Sequence, residues 1–478
     1  MNKTIEDAKL FDYDKFLIII LPIISLLLFI FVNEEIALLF GLVISSILVY
    51  ELIIYNERFI YGFNGLRILS FPSLLLFSYT IFISIPSIFV ITKTTNEIEN
   101  MYFFSILSFY ILFPIGLLTS KYLWDINIDK ISKMYYMKIK KSEYDHIFYK
   151  LLIHLLILCF ALLFLYLIRI KKIPLLEMIK NPKSYAYMWA LREEAFKLLE
   201  VNIIEKYLYS WNRDLFYPLG IVGSLFLCIL YKENKYKVLF IIFLVTGLIN
   251  NAITTAKAPV AQIFLSLISF YFLKEGKIKF KYIVLGLLLI FAFPIVIYYF
   301  TTNPLLRNTE TILNALFYRV FLAPADVLYQ YYKIFPSMHE FLLGRSTKLF
   351  SWLFEDGTFN IANYVAKIWW RMPFTTGFAN AIYLGSAWAD FGLVGVIFFT
   401  LLLGFLTNLF QQKLLEASNY KKNVIYVMLV SGLVMNFTFS FISANYTVLI
   451  VSKGLFLCFI FVLLLIDFQK YYKAKIKI

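Results

Sequence analysis

Charge is scarce in this 478-residue chain: Asp, Glu, Lys and Arg make up only 16% of it, and it holds just three histidines and three cysteines. A soluble globular chain is about a quarter charged and nearer half apolar. The shortage, beside 61% hydrophobic residues and a mean hydropathy of +0.77, excludes a cytosolic enzyme and a disordered scaffold. Cys159, Cys228 and Cys458 lie far apart inside apolar runs, which suggests neither a disulfide framework nor a metal site. No Gly-rich phosphate loop, His/Cys cluster or Ser/His/Asp arrangement stands out, so the sequence implies no cofactor. Internal repeats and low-complexity stretches are also lacking.

Long apolar runs are abundant, each of the length that crosses the ~30 Å hydrocarbon core of a bilayer. The chain reads as an all-α polytopic membrane protein. Twelve transmembrane helices can be drawn, at about 16–32, 36–55, 68–92, 102–119, 147–170, 214–231, 236–253, 257–273, 282–300, 386–410, 423–442 and 448–467. Residues 1–15 mix acids and bases with no small-residue cleavage site after them, so the first helix is expected to remain uncleaved. With the N-terminus in the cytoplasm, 25 Lys and Arg fall in inner loops and tails, while the short outer loops 33–35, 254–256 and 443–447 hold none. That agrees with the positive-inside rule and puts both termini in the cytoplasm. The net charge of +15 therefore sits beside the lipid bilayer, and nucleic acid is not an expected partner.

Two outer segments are long, 169–213 and 301–385, and long ordered loops tend to carry function. In the first, Met188, Leu191, Phe196, Leu199, Ile203 and Tyr207 recur at helical spacing, the pattern of an amphipathic helix lying on the membrane. The second reads as short helices punctuated by Pro304, Pro324, Pro336, Gly344, Gly357 and Pro373.

Arginine is distributed unevenly. Lys outnumbers Arg 36 to 9, yet only Arg58 and Arg67 lie inside. The other seven, Arg169, Arg192, Arg213, Arg307, Arg319, Arg345 and Arg371, are all on the outer side. Lys suffices as a point charge for topology, whereas a guanidinium binds phosphate through two parallel hydrogen bonds. Outer arginines in two loops suit a lipid-linked diphosphate; snorkelling to headgroups is the plainer alternative for any one of them.

Trp189, Trp211, Trp352, Trp369, Trp370 and Trp388 also gather toward the outer side, as a saccharide groove or as an ordinary interfacial belt. Trp369-Trp370-Arg371 is the most concentrated group. Lys257 opens a span and could be a site residue or could snorkel. Asp390, a little inside its span, could pair with a loop arginine. His339, whose reference pKa lies near neutral, is a candidate base. Asp326 and Glu310 are alternatives that could instead salt-bridge Arg319 and Arg307.

Taken together, the chain resembles the O-antigen and capsule repeat-unit polymerases of the Wzy type. The resemblance rests on the topology and on short motifs. These are Ile173-Pro174-Leu175 with Arg192; Thr255-Ala256-Lys257-Ala258-Pro259; Arg307 with Arg319-Val320-Phe321-Leu322-Ala323-Pro324; Glu340 to Gly344; and Gly377 to Tyr383 leading into Trp388 to Gly395. An Arg-x10-Gly pattern known in some members is absent, the nearest spacing being Arg345-x11-Gly357.

The resemblance implies a GT-C-like polymerase/ligase architecture at the bacterial inner membrane. Two undecaprenyl-diphosphate-linked oligosaccharides would react there, with a chain-length regulator and a flippase as partners and no metal. Arg319 and Arg307 would clamp the diphosphate, with Arg192, Arg213, Lys257, Arg345, Arg371, Trp369, Trp370 and Asp390 around the substrate. Asp326 or His339 would take the proton. A lipid-linked oligosaccharide flippase and an O-antigen ligase are the competing readings. A flippase would place its charges along a cavity within the spans.

Overall fold

A computed structural model of the chain describes most of residues 65–467. Residues 1–40, 42–64 and 468–478 lie outside the described residues, as do shorter stretches, the longest being 91–96, 124–133, 181–186, 196–202, 302–307, 348–352 and 450–455. The expected span 16–32, all of 36–55 but Gly41, and nearly half of 448–467 therefore fall outside it.

Among the described residues every regular element is helical and there is no strand. In chain order the helices are α1 (Phe71–Val90), α2 (Glu97–Leu123), α3 (Asp145–Arg169), α4 (Pro174–Lys180), α5 (Ile203–Trp211), α6 (Tyr217–Tyr231) and α7 (Asn234–Ala252). They continue as α8 (Lys257–Glu275), α9 (Phe280–Thr301), α10 (Thr309–Phe317), α11 (Ala323–Ile334), α12 (Ile361–Trp369), α13 (Tyr383–Ala417) and α14 (Val424–Phe441). The chain forms two compact units. One comprises residues 1–132, 318–413 and 440–451, the other 133–317, 414–439 and 452–478.

Nine helical stretches among the described residues are long and apolar enough to cross a membrane. Eight coincide with expected spans, and the ninth, Glu310–Ile334, lies in the segment expected as the second outer loop. The expected span at 257–273 does form a helix, α8, but is not among the nine. Its Gln262, Ser266 and Ser269 are buried in the protein, so it needs less apolar surface than a lipid-facing helix. The multi-pass membrane character follows directly from these lengths and compositions.

In the first unit the interior joins aromatic rings to hydroxyls. The Tyr110 hydroxyl lies 2.9 Å from Thr80 Oγ1 and 2.7 Å from Ser84 Oγ, linking α2 to α1. That of Tyr102 lies 2.7 Å from Ser87 Oγ and donates to the Ala325 carbonyl of α11 at 3.1 Å. Hydrocarbon offers no water to satisfy such groups, so they must pair internally, and each pair ties two helices. α2 and α13 cross backbone to backbone. A Cβ on Gly116 would come within 2.3 Å of the Leu401 carbonyl oxygen, and one on Gly404 within 2.3 Å of that of Phe113. Asn408 Nδ2 donates to the Leu117 carbonyl at 3.0 Å and fixes the register of this crossing.

In the second unit α6 is buried along most of its length. Leu191, expected on a membrane-facing stripe, packs instead with Met178 and Ile297, and Ala195 with Tyr166, Tyr209 and Ile253. Helical periodicity marks an apolar face but does not say whether lipid or protein covers it. Between α13 and α14, Lys422 is 1% exposed and its Nζ donates to the Leu273 carbonyl, near the C-terminal end of α8, at 3.2 Å. Burial pushes its pKa down to about 8.

Two outcomes follow. Gly404→Leu should lower the stability of the purified protein by about 1–3 kcal/mol, the usual penalty of overpacking, read by denaturant titration in detergent. Lys422 is neutral above about pH 8 in the folded chain but protonated to its ordinary value of 10.5 when unfolded. The unfolded state then binds more protons in that window, so stability should rise as pH rises from 8 toward 10.5. Lys422→Met should flatten that slope in melting curves taken across the same range.

Candidate functional site

The first unit contains Arg319, Asp326, His339, Arg345, Trp369, Trp370, Arg371 and Asp390. Arg213 and Lys257 belong to the second, and Arg192 and Arg307 lie outside the described residues.

Arg319 is exposed in a π-helical turn, Tyr318–Leu322, between α10 and α11. Phe321 of that turn stacks on Phe82 of α1 with ring centres 5.8 Å apart. Asp326 follows one turn into α11. Its Oδ2 accepts the Tyr318 hydroxyl at 2.5 Å and its Oδ1 accepts Gln330 Nε2 at 3.0 Å. Both carboxylate oxygens are thus held by protein donors. α11 then runs for 12 residues, about 18 Å at 1.5 Å per residue, before the turn that leads to His339.

That turn is fixed by Trp388 of α13, which stacks on Tyr332 at 4.4 Å and donates Nε1 to the Phe335 carbonyl at 2.9 Å. Trp388 is buried, a core residue and not a groove wall. His339 Nδ1 lies 2.8 Å from the Glu340 carbonyl oxygen. A carbonyl can only accept, so Nδ1 carries a proton and Nε2 of the neutral ring is left as the basic nitrogen. The rings of Phe335, Phe359 and Tyr364 surround the imidazole at 5.5, 5.0 and 5.4 Å.

Arg345 follows on a loop held by a break in α13. Gly392 has φ 58° and ψ −144°, so the helix kinks there. A side chain at this position would be strained, and its Cβ would stand 3.2 Å from the Phe341 ring. A kink frees carbonyls in the preceding turn from their i+4 partners. Two of them are taken by the loop: Leu342 N donates to Ala389 O and Leu343 N to Asp390 O, each at 2.9 Å. The Asp390 side chain, 0% exposed, completes the junction. Oδ1 accepts Gly344 N at 3.2 Å and Ser346 N at 3.1 Å, while Oδ2 accepts Tyr446 OH at 2.7 Å and the Ser346 hydroxyl. Asp390 therefore grips both neighbours of Arg345. The Arg345 guanidinium lies over the Phe354 ring at 5.7 Å, and its carbonyl accepts Phe359 N at 2.8 Å.

α12 starts on Asn360, whose side chain accepts Asn363 N at 3.2 Å. It ends with Arg371 N bonded to Ile368 O at 3.2 Å and Met372 N to Lys367 O at 3.1 Å, the paired closure of a Schellman motif. The left-handed residue of that motif is normally glycine, and here it is the exposed Arg371, φ 53°. The indoles of Trp369 and Trp370 lie 6.0 Å apart just before it.

In the second unit Arg213 binds Asp214 through two bonds of 2.7 and 2.9 Å, also in a π-helical turn, Asn212–Phe216. Both side chains are nearly buried, at 13% and 11% exposure. Arg169 pairs with Glu205 in the same two-pronged way. Lys257 is the half-buried first residue of α8, and Thr255, two residues before it, has φ 56°.

Three residues escape a reading of sequence alone. Glu99, 2% exposed in the first turn of α2, accepts the Tyr329 hydroxyl at 2.9 Å, and the Lys333 ammonium lies 4.4 Å from that ring. An acid close to an apolar run was its one available signal. Ser346 and Tyr446 hold Asp390, and neither type nor spacing marks them. Among the described residues no group of three or more His, Cys, Asp or Glu is placed to hold a metal ion.

Among the described residues, an all-helical chain with nine stretches able to cross a bilayer defines a class, the multi-pass membrane proteins. Residues 75–438 match the family described as "Putative O-antigen polymerase". The chain belongs to that family, and membership implies polymerase activity on lipid-linked repeat units. No curated protein and no solved structure matches it.

Arg371 tests whether function holds a residue where backbone geometry favours another. Arg371→Gly should raise stability by about 1 kcal/mol in equilibrium unfolding by relieving the left-handed residue. The same variant should lower polymer yield, whereas a purely structural Arg371 would leave yield unchanged or improved.

Proposed function

We propose that the protein polymerises undecaprenyl-diphosphate-linked oligosaccharide repeat units into O-antigen or capsule at the outer face of the bacterial inner membrane, with both termini cytoplasmic. The observation that carries this reading is the grouping in one unit of exposed Arg319 and Arg371, loop-held Arg345, His339 and the Trp369–Trp370 pair. Segments 169–213 and 301–385 are read as the outer loops. Although Glu310–Ile334 is long and apolar enough to cross, Arg319 is exposed near its middle, and a charge there would be costly in hydrocarbon. An outer, interfacial position suits it better.

The chemistry follows from the charges. A hydroxyl at the non-reducing end of the incoming unit attacks the anomeric carbon of the growing chain's reducing-end sugar. The new C–O bond forms as the bond from that carbon to the diphosphate oxygen breaks. Undecaprenyl diphosphate leaves with the electron pair, and the guanidinium groups of Arg319, Arg345 and Arg371 stabilise its growing negative charge. The hydroxyl proton passes to His339 Nε2. His339 is preferred over Asp326 because both Asp326 oxygens already accept protein hydrogen bonds. The indole faces offer apolar surface to the sugar rings. A flippase delivers the units and a chain-length regulator limits the product.

Deleting the gene in its host and resolving the surface glycan on a gel tests this. The ladder should disappear while a single-repeat band remains. Complementation with Arg319→Ala or Arg345→Ala should leave polymer at about 10²–10³-fold below wild type, the usual effect of removing one charge-stabilising donor. Loss of the single-repeat band as well would mean that units never reach the outer face, the behaviour of a flippase.

A further inference from the structure

We infer that Asp390, together with Ser346 and Tyr446, is a positioning device that sets the Arg345 guanidinium for its diphosphate, and is not itself in contact with substrate. This rests on the reading of Arg345 given above.

The argument begins with saturation. An ionised carboxylate offers about four lone-pair sites. Those of Asp390 meet four donors: Gly344 N, Ser346 N, the Ser346 hydroxyl and Tyr446 OH. With 0% exposure, no site remains for a sugar hydroxyl, and its negative charge would in any case repel a diphosphate.

The donors are also specific in sequence. Three of the four come from the residues immediately before and after Arg345, so the carboxylate holds the backbone on both sides of that one side chain. The fourth, Tyr446, is itself fixed. Its ring stacks on Phe399 of α13 at 4.0 Å, and its backbone N–H reaches Ser386 Oγ at 3.4 Å.

The loop is bent into a shape that needs such a hold. Leu343 has φ 52° and Gly344 φ 100°, two successive left-handed residues, the first of them bulky. Left-handed geometry at a residue of that kind persists only where surrounding contacts over-determine it. The Leu342 and Leu343 bonds to the kink of α13 and the Asp390 bonds supply those contacts. An arginine on a free loop would lose orientation entropy each time it bound phosphate; one on a pre-bent loop loses little.

The test uses the full-length protein in lipid nanodiscs with farnesyl diphosphate as the probe, titrated by tryptophan fluorescence. Tyr446→Phe and Ser346→Ala are mild changes that remove one or two bonds each. Both are made in the wild-type and in the Arg345→Ala background. Arg345→Ala alone should weaken binding about tenfold, and each of the two mild changes about three- to tenfold in the wild-type background. In the Arg345→Ala background each should cost less than about twofold, because the group they position is gone.

Equal losses in both backgrounds would overturn the inference and make the cluster a general structural element. Unchanged affinity in the Tyr446→Phe/Ser346→Ala double variant would also overturn it. The polymerase reading fails separately: if the deletion strain keeps its glycan ladder while the coupling between Tyr446 and Arg345 is still measured, the positioning role stands and the reaction assigned to the site does not.

Discussion

The break in α13 at Gly392 is the constraint from which the rest of the site follows. Inside a membrane protein a helix that stops hydrogen-bonding to itself must find other partners, because an unsatisfied buried carbonyl costs several kcal/mol. Here the partners are the backbone N–H groups of Leu342 and Leu343. Meeting them requires a left-handed bend at Leu343 and Gly344, and the bend directs the chain so that Asp390 closes on Gly344 and Ser346. From Arg345 the backbone passes its constraint to Phe359, whose ring is part of the wall of His339. Phe359 lies one residue before the Asn360 cap of α12, the helix that ends in Trp369, Trp370 and Arg371. One kink thus orders the loop arginine, the histidine pocket and the start of the aromatic helix.

The arginines divide by electrostatic state. In the second unit Arg169 and Arg213 are each bound by a carboxylate in two-pronged geometry. A guanidinium so engaged has its phosphate-matching fork filled, and releasing Arg213 would leave Asp214 nearly buried without that guanidinium. In the first unit Arg319 and Arg371 are exposed and no acid pairs with them among the described residues. The five described arginines of the outer cluster inferred from sequence are therefore two populations. Arg169 joins α3 to α5 and Arg213 holds its neighbour Asp214, whereas Arg319 and Arg371 stand exposed.

Much of this architecture could be read from the sequence, since hydropathy and length report what a lipid environment demands. Eight stretches were placed by that logic alone. It failed where protein, and not lipid, is the surroundings: α8 is helical without the expected apolarity, and Leu191 packs inward. Residue type makes His339, Arg345 and Arg371 candidates, because each carries chemistry in its side chain. It also singled out Asp390, expected to pair with an arginine, but not the donors around it. Ser346 and Tyr446 are ordinary residues made important only by a kink, and a kink is set by the fold around one glycine.

Backbone geometry separates the ordinary turns from the unusual ones. Five non-glycine residues are left-handed: Lys232, Thr255, Leu343, Arg371 and Asn419. Lys232, Arg371 and Asn419 close helices, where that conformation is common, even though glycine or asparagine fills it most easily. Thr255 is β-branched and Leu343 is bulky, which makes them real outliers. Each stands two residues before a basic side chain, Lys257 and Arg345. Strain of order 1–3 kcal/mol persists only where the neighbourhood enforces it. For Leu343 the enforcing groups are the kink carbonyls and the Asp390 cluster. For Thr255 they are its own bond to Ala252 O at 2.8 Å and the Asn251 side chain, which donates to the Pro259 carbonyl at 3.1 Å across the turn. In each unit, then, a braced left-handed residue stands two positions before a basic side chain.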